Sequence, residues 1–325
     1  MTAAAEPGFA PQAAATAMPP VGPLLLRAAL TGFVVLLCLT PFILVLAISF
    51  GEKIEGADWR WAFSLSSYQR FFLGFEWPER LSSVYPQRLW FSIYYAVVAS
   101  LLAVAFAFPL TWAITRRSRR TQTAWLVFIL ASLSLSEVFV VMGWDILLSR
   151  NSGLPSWLRA IGLTDWLRDN GWFPLLQEWD LANPRDLKFK TSTFATILAM
   201  SYLVFPYAVI LLYPALSRLD PALVEAAQTM GARPLTVIRT VVLPAARLPI
   251  LGATFLLFVY LLGAYVAVTV FAAPQKQTLT VTIYDSVRGQ TLDAPFGAAQ
   301  SVVLLGTAAL CLGASALIAR RAGRT

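Results

Sequence analysis

Apolar residues gather in six long runs, at about residues 24–50, 89–115, 124–148, 191–216, 248–273 and 296–319, and polar residues fill the gaps between them. Each run exceeds the roughly 20 residues that a helix needs to cross a bilayer. The pattern predicts an all-α, polytopic membrane protein with six transmembrane helices, so that both termini lie on the same side. The first run is too long for a signal-peptide core and no small-residue cleavage site follows it, so it is a retained helix, kinked at Pro41. Ahead of it, residues 1–23 are rich in Ala and Pro and lack an apolar core, the composition of a disordered tail. The layout is then a tail at 1–23, a first helix and long loop at 24–88, a core at 89–319 holding a polar loop at 217–247, and a short tail at 320–325.

The loop between the fourth and fifth runs has a defined local chemistry. Asp220-Pro221 is a helix start, an N-cap oxygen acceptor followed by proline at the first helical position. Ala222, Leu223, Ala226, Ala227 and Met230 favour helix, and Gly231 supplies a stop where a left-handed residue is tolerated. The predicted helix runs about three turns, with small residues on one side that admit another protein's surface. A second helical run, 235–242, is expected to end at Leu243-Pro244, where proline removes a backbone donor and turns the chain toward the next span.

Composition agrees with the pattern and excludes other classes. Of the 325 residues 58% are hydrophobic and 13% charged, and the mean hydropathy is +0.67, which rules out a soluble globular protein. The formal charge of +8 comes from arginines at the ends of the apolar runs, where they set topology; it is no signature of nucleic-acid binding. Histidine is absent, Cys38 and Cys311 lie inside predicted spans at no metal or redox spacing, and no phosphate-binding Gly-x-x-x-x-Gly-Lys-Ser/Thr stretch occurs. Arg116, Arg117, Arg119 and Arg120 crowd the turn after the second run, and Arg27, Arg218, Arg233, Arg239, Arg247, Arg320, Arg321 and Arg324 lie on the same side. Short arginine-dense loops belong inside, so both termini and the 217–247 loop are expected in the cytoplasm.

Two loops on the opposite side are long and aromatic. Residues 51–88 carry Trp59, Trp61, Tyr68, Phe71, Phe72 and Trp77, and residues 149–190 carry Trp157, Trp166, Trp172 and Trp179. Apolar residues at helical spacing (Leu154, Trp157, Leu158, Ile161, Leu167) predict interfacial helices within the second. These aromatics suit a membrane-anchoring belt and equally a docking surface for a periplasmic protein. Inside the third run, Glu137 sits about halfway across, where a carboxylate costs on the order of 2.5–3.5 kcal/mol and so faces the bundle interior or a watery path. Trp144 follows on nearly the same helical face, with Asp145 beside it near the outer end. An acid and an aromatic ring along one face suit a cation; pairing of Glu137 with neighbouring serines is the structural alternative. Tyr202 and Tyr207 in the fourth run, and Tyr260 and Tyr265 in the fifth, are further candidates for a lined path, with Pro206 and Gly263 as hinge or packing positions.

The spacing Glu225-Ala226-Ala227, three residues, Gly231, nine residues, Val241, one residue, Leu243-Pro244 resembles the coupling loop of the membrane subunits of ABC importers. Together with the six-span core and the helix opening Ala294-Pro295-Phe296-Gly297-Ala298-Ala299, capped by Asp293, it is similar to the type I importer permease fold. Within that fold the likeness is greatest to the spermidine/putrescine branch, from about residue 50, through Ser149-Arg150-Asn151-Ser152-Gly153-Leu154, to the end. The resemblance implies a cytoplasmic coupling helix with Glu225, Ala226, Ala227, Gly231, Leu243 and Pro244 as the ATPase-coupling residues, and a location in the bacterial inner membrane. It implies two ATPase subunits that hold ATP and Mg, a second permease subunit and a periplasmic substrate-binding protein, with no cofactor and no nucleic acid on this chain. Met230 stands where sugar permeases usually have Asp. Val140 and Val141 stand where polyamine-type permeases often have arginine, Ala264 where they often have an acid, and Val241 where isoleucine is usual. The branch grades into permeases for iron, thiamine and phosphonates.

The expectation is an importer subunit without covalent chemistry, moving a small solute such as putrescine or spermidine past Glu137, Trp144, Asp145, Tyr202, Tyr260 and Tyr265. An ion-coupled secondary transporter would want discontinuous helices and inverted repeats, and no such repeat is visible. A purely structural subunit would leave Glu137 unexplained.

Overall fold

The computed structural model describes residues 21–54, 59–184, 186–289 and 292–322. Most of the expected 1–23 tail, and residues 323–325, lie outside the described residues. Contacts divide the chain into residues 1–47 and residues 48–325. The first unit is helix α1 (Val21–Ile48), with Pro41 inside it; Val21 to Pro23, expected in the tail, are already helical. The chain is helical almost throughout, and its strands are two short antiparallel ladders, Glu52–Lys53 with Trp59–Arg60 and Ala182–Asn183 with Asp186–Leu187.

In the second unit α2 (Ser66–Leu73) lies in the first outer loop, followed by α3 (Val84–Thr115), α4 (Arg119–Leu133) and α5 (Glu137–Leu147). The second outer loop folds as α6 (Leu154–Ala160), α7 (Leu163–Asp169) and α8 (Phe173–Glu178). Then come α9 (Thr193–Ser217), α10 (Pro221–Thr229), α11 (Pro234–Val237), a π-turn (Ile238–Val242) and α12 (Leu243–Ala245). The chain closes with α13 (Arg247–Leu262), α14 (Val266–Phe271), α15 (Leu279–Arg288) and α16 (Ala294–Ala322). Arg320 and Arg321, expected in a tail, thus continue the last helix.

The core is the contact between α3 and α9, the most extensive of any helix pair, against which α13 packs. Its residues explain the closeness. Ala96, Ala99, Ala103 and Ala107 on α3, and Ala195, Ala199 and Ala208 on α9, are buried, and small side chains let two backbones approach where lipid gives no hydrophobic drive. Met200, Val204, Leu212 and Leu216 fill the space left between them. Farther out, Phe173, Ala182 and Leu187 form a small core with Leu158, Leu167 and Leu176. The helices predicted within 154–170 are present as α6 and α7, separated at Gly162, whose φ of 74° closes the turn. Trp157, Trp166 and Trp179 remain exposed.

Six unbroken spans were expected, and the structure corrects that picture. Among the described residues four helices, α1, α3, α9 and α16, are long and apolar enough to cross a membrane alone; counting each of two bent pairs, α4 with α5 and residues 234–245 with α13, as one span brings the total to as many as six. The third span breaks between Leu133 and Glu137 with a bend of 91°. Two serines favour this: Ser132 and Ser134 turn their hydroxyls back to Ile129 O and Ala131 O, both at 2.6 Å, which competes with the backbone ladder. The expected fifth span is interrupted at Gly263–Tyr265 and resumes as α14. Leu243-Pro244 does not end its helix either: the chain stays helical to Ala245, and the 72° bend falls at Ala246. The π-turn permits this. Leu243 N–H bonds to Ile238 O, five residues back, and the wider turn relieves the clash that a proline makes with the carbonyl four residues before it.

Candidate coupling helix and membrane path

The polar loop forms a defined surface. Asp220 Oδ1 accepts the Ala222 N–H at 2.9 Å, with Pro221 opening α10 as expected. At its other end Gly231 has φ +82°; its N–H bonds to Gln228 O at 2.9 Å and that of Ala232 to Ala227 O at 3.1 Å, the paired bonds of a Schellman close. α10 packs on α11 and the π-turn, with Val224 and Ala227 buried on that face beside Val237 and Val242 in the core. The opposite face carries exposed Leu223, Glu225, Ala226 and Met230, the last 82% exposed, with Leu235 beyond. Of the six expected coupling residues, Glu225, Ala226, Gly231, Leu243 and Pro244 are exposed and Ala227 is buried as the helix's footing. The helix therefore presents an apolar ridge with one carboxylate, held from beneath.

Glu137 is not midway along a continuous helix; it is the first residue of α5, just past the break. Its carboxylate is hydrogen-bonded by the backbone of Ala267, in the first turn of α14, which packs on α5. Tyr260 lies within electrostatic reach of Glu137, and its ring is 5.7 Å from that of Tyr207. Two interrupted crossings thus meet at one carboxylate, with the Tyr260 phenol in its electrostatic reach. Ala267 carried no sequence signal, because its contribution is a backbone group exposed by the break.

The other path candidates fall into separate places. Trp144 meets Tyr202 edge-on, ring centroids 5.4 Å apart. That pair lies between two apolar grooves, one of about 660 Å³ bounded by Leu102, Phe106 and Phe205 and one of about 280 Å³ bounded by Leu135, Phe139 and Gly143. Tyr265 caps α14 and lies against Tyr284, 4.6 Å between centroids. Asp145 is held by Lys190, whose ammonium is 2.7 Å from Oδ1 and 3.0 Å from Oδ2.

Two further carboxylates anchor the outer loops. Asp293 accepts the Phe296 N–H at 3.1 Å, the cap expected for α16, and also pairs with Arg70 of α2 at 2.8 Å. The Arg70 guanidinium lies over the rings of Phe75 and Phe296, 3.8 and 4.3 Å from their centroids. Asp186, 3% exposed, holds Arg150 at 3.0 Å and Arg159 at 3.2 Å. Neither ion pair is legible in the sequence, since the partners lie 223 and 36 residues apart.

Residues 172–322, from the second outer loop through α16, match the family model described as the binding-protein-dependent transport system inner membrane component. Over just under half of its length the chain thus resembles the permease subunits of ABC importers. Over 298 residues it is 22% identical to the spermidine/putrescine transport system permease PotB of Escherichia coli, covering 91% of this chain and 95% of that one. It is 28% identical to a probable molybdenum ABC transporter permease of Haloferax volcanii, covering 68% and 71%. The fold matches a solved bacterial ABC transporter involved in the import of the acidic polysaccharide alginate, with a TM-score of 0.62, 15% identity, and 92% and 96% of the two chains aligned. An inner membrane component of this kind is not itself an ATPase; ATP is bound on a partner subunit.

Proposed function

We propose that this chain carries a small polyamine-like cation, delivered by a periplasmic binding protein, into the cytoplasm, and that α10 is the element its ATPase moves. The observation that carries the solute reading is Glu137 at the meeting of two interrupted helices. Broken backbone at membrane depth is tolerated where it is buried in protein or lines a watery cavity, and transporters form solute sites at such breaks. A carboxylate within electrostatic reach of Tyr260, whose ring meets that of Tyr207, favours a protonated amine through ion pairing and cation–π contact, and disfavours an oxyanion. The similarity to polyamine permeases over nine-tenths of the chain points the same way.

For α10, support comes from the exposed ridge Leu223, Ala226 and Met230 beside unpaired Glu225, on a helix backed by buried Val224 and Ala227. An ATPase cleft that takes this ridge would pass its motion through α11 and the π-turn to α13. The arginine-dense turns favour a cytoplasmic position for this loop and both termini, and in this reading a second permease subunit completes the pathway. The test is ATPase activity of the complete transporter in lipid, with its binding protein, across putrescine, spermidine, thiamine, an aminophosphonate, molybdate and ferric ion. Stimulation by a polyamine that weakens in Glu137→Gln supports the reading. Stimulation by molybdate or the phosphonate alone would assign another solute and leave Glu137 a structural residue.

A further inference from the structure

Charge is balanced differently at the two ends of the bundle. In the outer loops, Arg60 pairs with Glu52, Arg70 with Asp293, Arg150 and Arg159 with Asp186, Lys188 with Asp180 and Lys190 with Asp145. The turn joining α3 to α4 is the opposite case. Arg116, Arg117, Arg119 and Arg120 are all exposed, and among the described residues none lies within ion-pair distance of a carboxylate. The sequence offers no local partner, because no Asp or Glu occurs between Glu79 and Glu137.

This turn is held in one shape. Gln122 donates to Thr115 O at 3.1 Å and Arg117 O at 2.8 Å, and its Oε1 accepts the Tyr213 hydroxyl of α9 at 2.8 Å. Ser118 caps α4, and the Arg116 guanidinium rests 4.2 Å from the Trp112 ring centroid. The turn therefore presents four cations on one ordered backbone, with no carboxylate of the described residues paired to them. Directly beyond them α4 turns outward: it buries only Ile129, and Trp125, Val127, Phe128 and Leu130 are exposed. Trp125 lies five residues past Arg120, about 7.5 Å along a helix, and tryptophan is a residue that sits at the membrane–water interface.

We infer that the α3–α4 turn binds the phosphate headgroup of an anionic phospholipid, whose acyl chain lies along the exposed face of α4. Arginine suits this ligand because its planar fork donates to phosphate oxygens in pairs. The continuity of the cationic turn with an apolar, outward-facing membrane helix favours lipid over an acidic protein surface, which would meet the arginines but leave α4 uncovered. The inference is independent of the solute carried.

The test is native mass spectrometry of the purified complete transporter, titrated with dioleoyl phosphatidylglycerol and, separately, with the phosphatidylethanolamine of the same chains. Arg119→Gln/Arg120→Gln keeps Arg116 and Arg117 as topology signals. At about 1 kcal/mol, or roughly fivefold, per arginine, its affinity for phosphatidylglycerol falls about 25-fold while that for phosphatidylethanolamine is unchanged. If the double variant does not assemble, Arg119→Gln alone reads a loss of about fivefold. Equal phosphatidylglycerol affinity in wild type and variant overturns the inference, as does an equal loss for both lipids. Release of the ATPase subunit at unchanged lipid affinity also overturns it and reassigns the arginines to a protein contact.

Discussion

Replacing Gly231 by alanine isolates the backbone geometry that ends the coupling helix. At φ +82° the residue is left-handed, and a Cβ built there meets nothing within 4 Å, so no collision enters the balance. An L-residue pays about 1–2 kcal/mol for that conformation relative to glycine. The chain can avoid it by releasing the bonds of Gly231 N–H and Ala232 N–H to Gln228 and Ala227, each worth about 0.5–1.5 kcal/mol. The cheaper route bounds the loss at about 1–2 kcal/mol, a factor of roughly 5–30 in the population of the closed helix end. Hydrogen exchange measures it directly: protection of the Ala232 amide falls by that factor in Gly231→Ala, while amides in α9 and α16 keep theirs. Asparagine tolerates the left-handed region better, so Gly231→Asn retains most of the protection. If alanine leaves the Ala232 amide unchanged, or asparagine loses as much as alanine, the conformational explanation is wrong. If the proposed coupling role holds, uptake falls in the alanine variant with the complex still assembled.

Other outcomes follow from the carboxylates. Asp293→Ala removes the cap of α16 and leaves Arg70, 24% exposed, over two rings without its counter-ion; a loss of about 2–4 kcal/mol is expected, discounted for the remaining exposure and read as a lower Tm in detergent, whereas Asp293→Asn keeps the capping oxygen and loses less. Asp186→Ala frees Arg150 and Arg159 and deprives the 149–190 cap of its buried anchor, so limited proteolysis cleaves that loop first, with cleavage elsewhere unchanged. For Asp145 the ion pair with Lys190 is partly exposed and worth at most about 1 kcal/mol; Asp145→Asn therefore keeps polyamine uptake within about twofold, and a loss as large as that of Glu137→Gln would return Asp145 to the path.

The crossings, the capped helix at 220–231 and the α16 cap at Asp293 were legible in the sequence because each is encoded locally. Apolar runs longer than a bilayer admit one reading, Asp-Pro starts a helix through its own oxygen and ring, and Gly231 stops it through its own backbone freedom. The motif spacing from Glu225 to Pro244 was visible too, but not the helical course through it, since hydropathy says nothing of a π-turn that shifts the bonding register one residue ahead of a proline. Hydropathy likewise counted the third and fifth runs as continuous, because leucines and valines flank both breaks and the serine hydroxyls that open the first act on carbonyls rather than on polarity.

Only the tertiary structure decided which polar groups meet. It brings Glu137 to a backbone N–H of α14 and to Tyr260, turns Trp144 toward Tyr202, and gives Asp145 to Lys190. It also joins Arg70 to Asp293 across 223 residues. Such pairings depend on how α3, α9 and α13 pack, and packing among small residues in a membrane is set by backbone approach and shape. One-dimensional patterning therefore marks the apolar runs and where the chain turns, while the broken helices and the company each carboxylate keeps emerge only when the helices are assembled.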